Sequence, residues 1–393
     1  MTLASTASLS VREQATAEIV SNQQAWAGLP CDSFMRSPIW SRNAWEHYHR
    51  VQPGVDPSSL RPAVVCDEDG RLLGRSVWFR QLQQTLACWR LVGSGAICND
   101  YVQIPCQPDT ERQVGVATAR WLHRQPRRSL GGLAVIEVDG HRADSIQWQA
   151  FFRTLCAAGW SLDSVPIQGA WCLELPNTWH DYEMRLGKSQ RRKARCALKM
   201  LGSGKLQHEV YRTAAEIERE WPKFVRLHQK RRQLLGQTGC FANSDYERFL
   251  KNAVIELAVQ GSAWLSVVRA SQQTLGVLLV FDSGDTTYVY QSGIDTDWLH
   301  LNPGHLVNAA TISNCIERGQ RYFDFLRGDE RYKSDWRAVR VDLRRSLLFS
   351  PGFTGRGLAS VQKLRRSLLH WIKTRSHDQQ NAVKALAPSE SCG

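Results

Sequence analysis

Short apolar runs separated by turn residues fill the first half of the chain, which is the pattern of β-strands joined by hairpins and loops. Strands are predicted over residues 61–66, 72–79, 86–92, 133–138, 160–165 and 171–175. Between them, apolar positions recur at helical spacing over residues 110–123 and 145–158. We therefore expect residues 36–176 to form a mixed α+β sheet domain, preceded by a loosely held N-terminal arm over residues 1–35.

The second half of the chain starts with helical periodicity and then turns to strands. Helices are predicted over residues 180–201, 214–235 and 245–259, and strands over 206–211, 263–269, 275–281 and 287–292. Short turns join the last three strands, which indicates an antiparallel meander. A helix that begins near Pro303 and a strand over residues 322–326 complete a strand–helix–strand crossover. The pattern predicts a second α/β domain over residues 177–350.

The last segment, residues 351–393, has a pattern of its own. Its apolar residues recur at helical spacing beside lysines and arginines, and they are Leu358, Val361, Leu364, Leu368, Trp371 and Ile372. This spacing predicts a basic amphipathic tail, which would pack on the body of the protein, on an anionic surface or on an assembly partner.

Composition narrows the class of protein. The chain has 393 residues, enough for two domains, and 42% of them are hydrophobic, as in globular proteins. Its eleven cysteines are scattered without a C-x-x-C pair, which argues against a structural metal and for a reducing compartment. We recognise neither a signal peptide nor a membrane span, and expect a soluble cytoplasmic protein. The net charge of +13 favours an anionic partner, such as a nucleotide cofactor, tRNA, an acidic glycan or a lipid surface.

The stretch Asn302-Pro303-Gly304-His305 is the first candidate binding element, because it follows a predicted strand and starts a predicted helix. A helix N-terminus presents unpaired backbone N–H groups and the positive end of the helix dipole, so it suits a phosphate group. Pro303 favours the first helical turn, and Gly304 permits a close approach. The spacing also fits an ordinary helix that begins with proline.

The predicted strand over residues 322–326 runs directly into a dense polar stretch that ends at Trp336. Strand ends are where α/β folds place their ligands, so Arg327 and Asp329 are candidate substrate-binding residues. A solvated loop is the alternative interpretation of such a charged run.

Together, the Pro-Gly helix start, the run FDFLRGDERYKSDW and the helical segment FVRLHQKRR resemble the acetyltransferases of bacterial cellulose and exopolysaccharide synthesis, the CelD/BcsL type. That family is a relative of the GNAT superfamily and is similar to the FemAB peptidoglycan aminoacyltransferases. The resemblance covers residues 179–336 and, more weakly, residues 37–175. It implies tandem GNAT-like domains, a cleft formed by the second domain and closed by the first, and acyl-CoA, in the simplest case acetyl-CoA, as co-substrate without a metal. The usual GNAT pyrophosphate motif, Gln/Arg-x-x-Gly-x-Gly/Ala, is reduced here to residues 302–305.

The resemblance also implies a catalytic role for Lys333, which matches a lysine in an aromatic-Lys-x-x-aromatic segment of the FemAB relatives. That lysine stabilises the negative charge that develops during the reaction. His228 is a candidate general base, since a neutral imidazole removes protons near pH 7, although a lone helical histidine is more often a packed side chain. Tyr290 is a candidate acid, with core packing as its alternative.

Three functions fit these observations. The first is transfer of an acyl group from acyl-CoA to an amine or hydroxyl of a small molecule or glycan. The second is a FemAB-like transferase that depends on aminoacyl-tRNA, the one interpretation in which a nucleic acid is a partner. The basic run over residues 188–195 could follow its phosphate backbone, but we favour a solvated helix face because few aromatic residues interleave. The third is a catalytically inactive GNAT-fold scaffold of a polysaccharide-assembly complex.

Overall fold

The computed structural model of the protein describes residues 9–14, 29–83, 86–125 and 134–352, together with the single residues 355 and 357. These residues form two seven-stranded mixed sheets with helices packed against them. The predicted mixed α/β fold class is confirmed. The predicted basic amphipathic tail, residues 351–393, lies outside the described residues except for residues 351, 352, 355 and 357.

The first sheet is built from strands β1 (Ser10–Glu13), β2 (Arg61–Cys66), β3 (Leu72–Gln83), β4 (Leu86–Leu91), β5 (Ala134–Arg142), β6 (Ser161–Pro166) and β14 (Leu343–Phe349). Their order across the sheet is β1-β2-β3-β4-β5-β14-β6. Neighbouring strands are antiparallel, except that β4 and β5 pair in parallel. A single parallel pair therefore lies near the middle of the sheet.

The second sheet is built from strands β7 (Ala170–Glu174), β8 (Gln207–Tyr211), β9 (Ala263–Ala270), β10 (Gln273–Ser283), β11 (Thr286–Ile294), β12 (Tyr322–Arg327) and β13 (Val339–Val341). Their order is β13-β7-β12-β11-β10-β9-β8. β11 and β12 are the parallel pair here, and the other neighbours are antiparallel. The predicted meander is the antiparallel run from β9 to β11.

The two sheets repeat one strand order. Each has four antiparallel strands, then a parallel partner of the fourth, then two more strands. In each sheet the sixth strand comes from the other half of the chain, because β14 joins the first sheet and β7 joins the second. The strands therefore do not divide at the predicted boundary between residues 176 and 177. Sequence patterns indicate a strand, but its partner is set by contacts far away in the chain.

The helices are α1 (Pro38–His47), α2 (Glu111–Arg124), α3 (Ile146–Ala157), α4 (Trp179–Arg185), α5 (Lys188–Gly202), α6 (Ala214–Leu234), α7 (Ser244–Val259), α8 (Pro303–Glu317) and α9 (Arg331–Asp335). Thr213 and Glu216 form a capping box that starts α6. The helix predicted over residues 180–201 is two helices, because Leu186 and Gly187 adopt extended backbone between α4 and α5. Among the described residues, none of the helices is long and apolar enough to cross a membrane.

A shared aromatic core joins the two halves of the chain. Phe34 stacks on Phe281 of β10 with 4.0 Å between ring centroids, and Trp40 of α1 meets Phe249 of α7 edge to face at 4.9 Å. All four side chains are buried. The described parts of the predicted N-terminal arm are therefore not loose, since Phe34 lies in this core and β1 pairs with β2.

Candidate active site

The second sheet opens between its two parallel strands. β11 and β12 pair over three positions, and the pairing ends at Tyr288 and Asp324. β11 then continues to Ile294 beside β10, whereas β12 continues to Arg327 beside β7. Beyond the last pair, the two backbone edges that face each other have no strand partner within the described residues.

Both strands carry a β-bulge where they separate. On β11, the register against β10 shifts by one residue at Tyr290. On β12, the register against β7 shifts between Asp324 and Arg327, and Leu326 there has a left-handed backbone with φ of 56°. The carboxylate of Asp324 accepts the Leu326 N–H at 2.7 Å and so stabilises this conformation. A bulge bends its strand, so two bulges on neighbouring strands drive them apart.

A cleft of about 530 Å³ lies in this opening. Its walls include β11, β12, α8 and α9, and its cationic side chains include Lys193 of α5 and Arg231 and Arg232 of α6. Arg232 donates to the amide oxygen of Gln237 at 2.9 Å. Neither Lys193 nor Arg231 forms an ion pair within the described part of the chain. The cleft therefore offers positive charge to an anionic ligand.

The predicted donor segment lines the same cleft. Asn302 has left-handed backbone, and α8 begins at Pro303, which has no N–H. The N–H groups of His305 and Leu306 both donate to the carbonyl of Asn302, at 2.9 and 3.1 Å. Among the described residues, the Gly304 N–H is the one donor of this turn that has no acceptor. The start of α8 therefore offers fewer free backbone N–H groups than an ordinary helix N-terminus does.

His305 links the start of α8 to the end of α9. Its ring stacks on Trp336 with 4.7 Å between centroids. Burial, with a smaller contribution from Lys193, lowers the pKa of His305 to about 4, so the imidazole is neutral at pH 7. Its Nε2 and the amide oxygen of Asn308 on α8 are buried and unpaired within the described residues. Unpaired buried polar atoms cost folding free energy. This wall of the cleft therefore has hydrogen-bonding groups that a ligand could satisfy.

Lys333 belongs to the cleft lining, but its side chain is only 3% exposed. Its ammonium group donates to the carbonyls of Leu326, Arg327 and Gly328 at 3.0 to 3.1 Å, and it lies 2.9 Å from the carboxylate of Glu330. Three carbonyls match the three N–H groups of an ammonium, so Lys333 holds the bulged end of β12 in place. An oxyanion would have to compete with these acceptors. The role in charge stabilisation that the resemblance implies stays a prediction.

Arg327 and Asp329 have structural partners. The Arg327 guanidinium donates to Asp100 at 2.7 Å and to Asp139 of β5 at 3.3 Å, which ties the end of β12 to the first sheet. Asp329 accepts from Arg340 at 3.1 Å and lies outside the residues that line the cleft. Arg327 lines the cleft, but its donors are committed. Both side chains thus contact protein groups where the sequence predicted contacts with a substrate. The reason is that the strand end faces the other sheet, and the sequence does not reveal this orientation.

His228 is packed inside the protein, with 1% of its surface exposed, and it lies outside the residues that line the cleft. Its Nδ1–H donates to the carbonyl of Ser292 at 2.9 Å, and its Nε2 lies 3.4 Å from the sulfur of Cys240. Burial lowers the pKa of His228 to about 4. These contacts favour the interpretation of a packed side chain over that of a general base.

Tyr290 is the bulge residue of β11, and it does line the cleft. Its hydroxyl donates to the carbonyl of Ile97 at 2.7 Å and lies 3.1 Å from the hydroxyl of Tyr246. Burial raises the pKa of Tyr290 well above its ordinary value. The hydroxyl therefore fastens the bulge to the first half of the chain.

The structure also brings residues to the cleft that sequence reasoning missed. Lys193 belongs to the run interpreted as a solvated helix face, and Arg231 and Arg232 belong to the segment FVRLHQKRR. Glu330 and Asp335 line the cleft as well. The signal that could have found the two arginines was the resemblance, since it included that segment. Within the described ranges, no cluster of three or more His, Cys, Asp or Glu side chains could hold a metal ion.

Residues 188–334 match the family model of the acetyltransferase (GNAT) domain. The matched region begins with α5 and ends within α9, so it contains the separated strands, α8 and most of the cleft lining. A comparison with curated proteins found no match.

Three solved structures have a similar fold. FemX aligns with a TM-score of 0.55 and 11% identity over 86% of this chain and 96% of its own. The C-terminal domain (DUF2156) of a putative lysylphosphatidylglycerol synthetase from Agrobacterium fabrum aligns with a TM-score of 0.50 and 12% identity over 88% and 96%. L-PGS from Bacillus licheniformis aligns with a TM-score of 0.50 and 9% identity over 89% and 95%.

At these identities the similarity concerns the fold. The repeated strand order and the matched domain agree with the predicted tandem GNAT-like architecture, which is confirmed. Residues 188–334 of this chain are therefore similar to a GNAT acetyltransferase domain, within a two-sheet fold similar to that of FemX.

Proposed function

We propose that the protein is an acyltransferase that moves an acyl group from acyl-CoA, in the simplest case acetyl-CoA, to an amine or hydroxyl. The observation that carries this proposal is the opening between β11 and β12, which lies inside the matched GNAT domain and beside the start of α8. An extended donor arm with amide groups could pair with the unpartnered edge of β11 as an added strand would.

The charges in the cleft fit the phosphate groups of such a donor. The backbone at the start of α8 contributes one free N–H, at Gly304, which is less than the usual pyrophosphate motif supplies. Lys193 and Arg231 offer side-chain cations in its place. Lysine and arginine bind phosphate well without a backbone cradle. This chain would thus hold its donor more through side chains than through its helix start.

The reaction needs positioning and proton removal. The bound thioester supplies an electrophilic carbonyl carbon and a thiol leaving group. The acceptor attacks that carbon directly in a ternary complex, and the cleft walls contribute orientation and a water-poor setting. We extend the proposal to a small-molecule or glycan acceptor in cellulose, exopolysaccharide or cell-envelope synthesis, and to a cytoplasmic location, as the resemblance to the exopolysaccharide acetyltransferases implies.

A second candidate is a transferase that takes its acyl group from aminoacyl-tRNA. The observation in its favour is the exposed basic face of α5, where Lys188, Arg192 and Lys199 extend the positive surface beyond Lys193 of the cleft. The fold similarity to FemX is compatible with it. Binding of tRNA by such a surface would weaken steeply with salt.

Calorimetry with acetyl-, succinyl- and long-chain acyl-CoA tests the first proposal, with bulk tRNA over a salt series as the comparison. We expect one acyl-CoA to bind, and the double variant Lys193→Gln/Arg231→Gln to bind it at least tenfold more weakly. Lys199→Gln, at the far end of α5, is the matched control and should bind like the parent. Binding of tRNA without any acyl-CoA would move the proposal to the second candidate. Binding of neither would leave the inactive scaffold as the function.

A further inference from the structure

Three carboxylates follow the end of β12, and they have different surroundings. Asp329 accepts from Arg340 and from the indole N–H of Trp171, and it lies outside the cleft lining. Asp335 is exposed on the rim of the cleft. Glu330 lines the cleft, and its side chain is 54% exposed. Glu330 is thus open to a ligand and also has a fixed partner inside the protein.

That partner is the buried ammonium of Lys333, which lies 2.9 Å from the Glu330 carboxylate. The carbonyls of Leu326, Arg327 and Gly328 hold the ammonium in turn, so its position is set by the backbone of the bulged strand. Side chains fixed by such supporting contacts keep the geometry that catalysis requires.

Gly328 leaves room for the same carboxylate. Its φ of 130° is a backbone conformation that favours glycine, and a Cβ at this position would overlap the carboxylate of Glu330. The missing side chain therefore leaves the space in which the carboxylate lies. Glu330 therefore lies against a glycine and a buried lysine, while part of its side chain is exposed at the cleft.

The other candidate bases lack this combination. His228 lies outside the cleft lining, with both ring nitrogens against protein atoms. His305 is stacked on Trp336, and its Nε2 is buried. The Tyr290 hydroxyl donates to a backbone carbonyl. Asp335 lines the cleft but has no ion-pair partner in the described part of the chain.

We propose that Glu330 is the general base of the acyl transfer, oriented by Lys333, an inference that rests on the proposed function. Its carboxylate takes the proton from the acceptor N–H or O–H as the acceptor nitrogen or oxygen bonds to the acyl carbon. The bond from that carbon to the thioester sulfur breaks, and the thiolate leaves with the electron pair. The proton then passes from Glu330 to the thiolate or to water, so the products are an amide or ester and a free thiol. Under this assignment Glu330 is a catalytic residue and Lys333 a positioning residue.

Glu330→Gln tests the assignment, because glutamine keeps the size of the side chain and removes its basicity. Thiol release is measured with acetyl-CoA as donor and with glucosamine or water as acceptor, over pH 5 to 9. We expect kcat to fall about 10²- to 10⁴-fold, the usual contribution of a general base, with donor affinity by calorimetry unchanged. Glu317→Gln, which neutralises an exposed carboxylate at the far end of α8 and outside the cleft lining, is the control and should keep the parent's rate within about threefold.

A second variant, Glu330→Ala, separates a missing base from a damaged fold. Added formate should restore part of its activity, since a small carboxylate can occupy the space that the side chain leaves. An unchanged rate in Glu330→Gln would overturn the assignment, and so would a loss of donor affinity with unchanged kcat. A parent that binds acetyl-CoA but releases no thiol with either acceptor would also overturn it. A parent that binds no acyl-CoA would instead overturn the proposed function on which the assignment rests.

Discussion

The two parallel strand pairs occupy the same place in their sheets, but one is filled and the other is open. In the first sheet, the chain after β4 folds back over the end of β5, where the Val102 N–H donates to the carbonyl of Gly140 at 3.0 Å. The indole of Trp148 donates to the Val102 carbonyl at 2.6 Å, and the amide of Gln147 pairs with both backbone groups of Ile104. In the second sheet the corresponding place is the 530 Å³ cleft.

This difference shows that the same strand order can either form a structural support or provide a binding site. The first sheet satisfies the edges of its parallel pair with its own loop, as buried backbone groups require. The segment after β4 also contacts the second pair, because Tyr290 of one bulge donates to the carbonyl of Ile97, and Arg327 beside the other bulge pairs with Asp100. We therefore expect substitutions in the second sheet to affect function, and substitutions at the contacts between the two sheets to affect stability.

The largest effect is expected where the two sheets meet. Arg327→Met leaves the buried carboxylate of Asp100 without its cation, and breaking a buried ion pair costs about 3–5 kcal/mol. Urea unfolding of parent and variant measures the loss. Arg340→Met, which removes an exposed partner of Asp329, is the control and should cost less than about 1 kcal/mol. Equal losses in the two variants would show that the junction does not hold the sheets together.

The variant Lys333→Met distinguishes a catalytic role of Lys333 from a structural role at the edge of the cleft. From the resemblance we expect kcat to fall about 10²- to 10³-fold with little change in KM, because the ammonium charge would act mainly in the transition state. From the geometry we expect a loss of about 1–3 kcal/mol in unfolding free energy, since three carbonyls lose their donor. Kinetics and urea unfolding on the same preparation separate the two effects. A destabilised variant with the parent's kcat would make Lys333 purely structural.

Sequence patterns predicted the elements of the open sheet closely, since β9 (Ala263–Ala270) and β10 begin and end within a few residues of the expected positions. They also identified as a candidate binding element the Pro-Gly helix start, which lines the cleft. They could not predict the bulges at Tyr290 and Leu326, because a bulge depends on the register of a neighbouring strand. The exchange of β7 and β14 and the pairing of Arg327 were missed for the same reason, since their partners are distant in sequence.

The bulge on β12 should give the protein a pH-dependent stability. Burial raises the pKa of Asp324 to about 7 from an ordinary value of 3.8. Between these values the folded protein keeps a proton that the unfolded chain releases, so this contribution is full below about pH 4 and is lost as the pH rises to about 7. Its slope is at most about 1.4 kcal/mol per pH unit. Urea unfolding of the parent and of Asp324→Asn at pH 5, 6, 7 and 8 should show the parent losing stability relative to the variant. A constant difference in unfolding free energy between parent and variant over that pH range would contradict the raised pKa of Asp324.

The smallest effect is expected at the start of α8, and it tests whether the open pair binds its donor through the backbone there. A Cβ on Gly304 would lie 3.0 Å from the Cδ1 atom of Ile294, a flexible side-chain end that can move, so Gly304→Val should fold. Its bulk would stand beside the one free N–H of the first turn and hinder a phosphate that approaches it. Because Lys193 and Arg231 remain, we expect the Kd for acyl-CoA to rise only about three- to tenfold, or about 1 kcal/mol. Gly202→Val, at the end of α5 with open space around its Cβ, is the matched control. If Gly304→Val binds acyl-CoA as tightly as this control does, the donor phosphates lie elsewhere, and the cationic side chains alone would define their site.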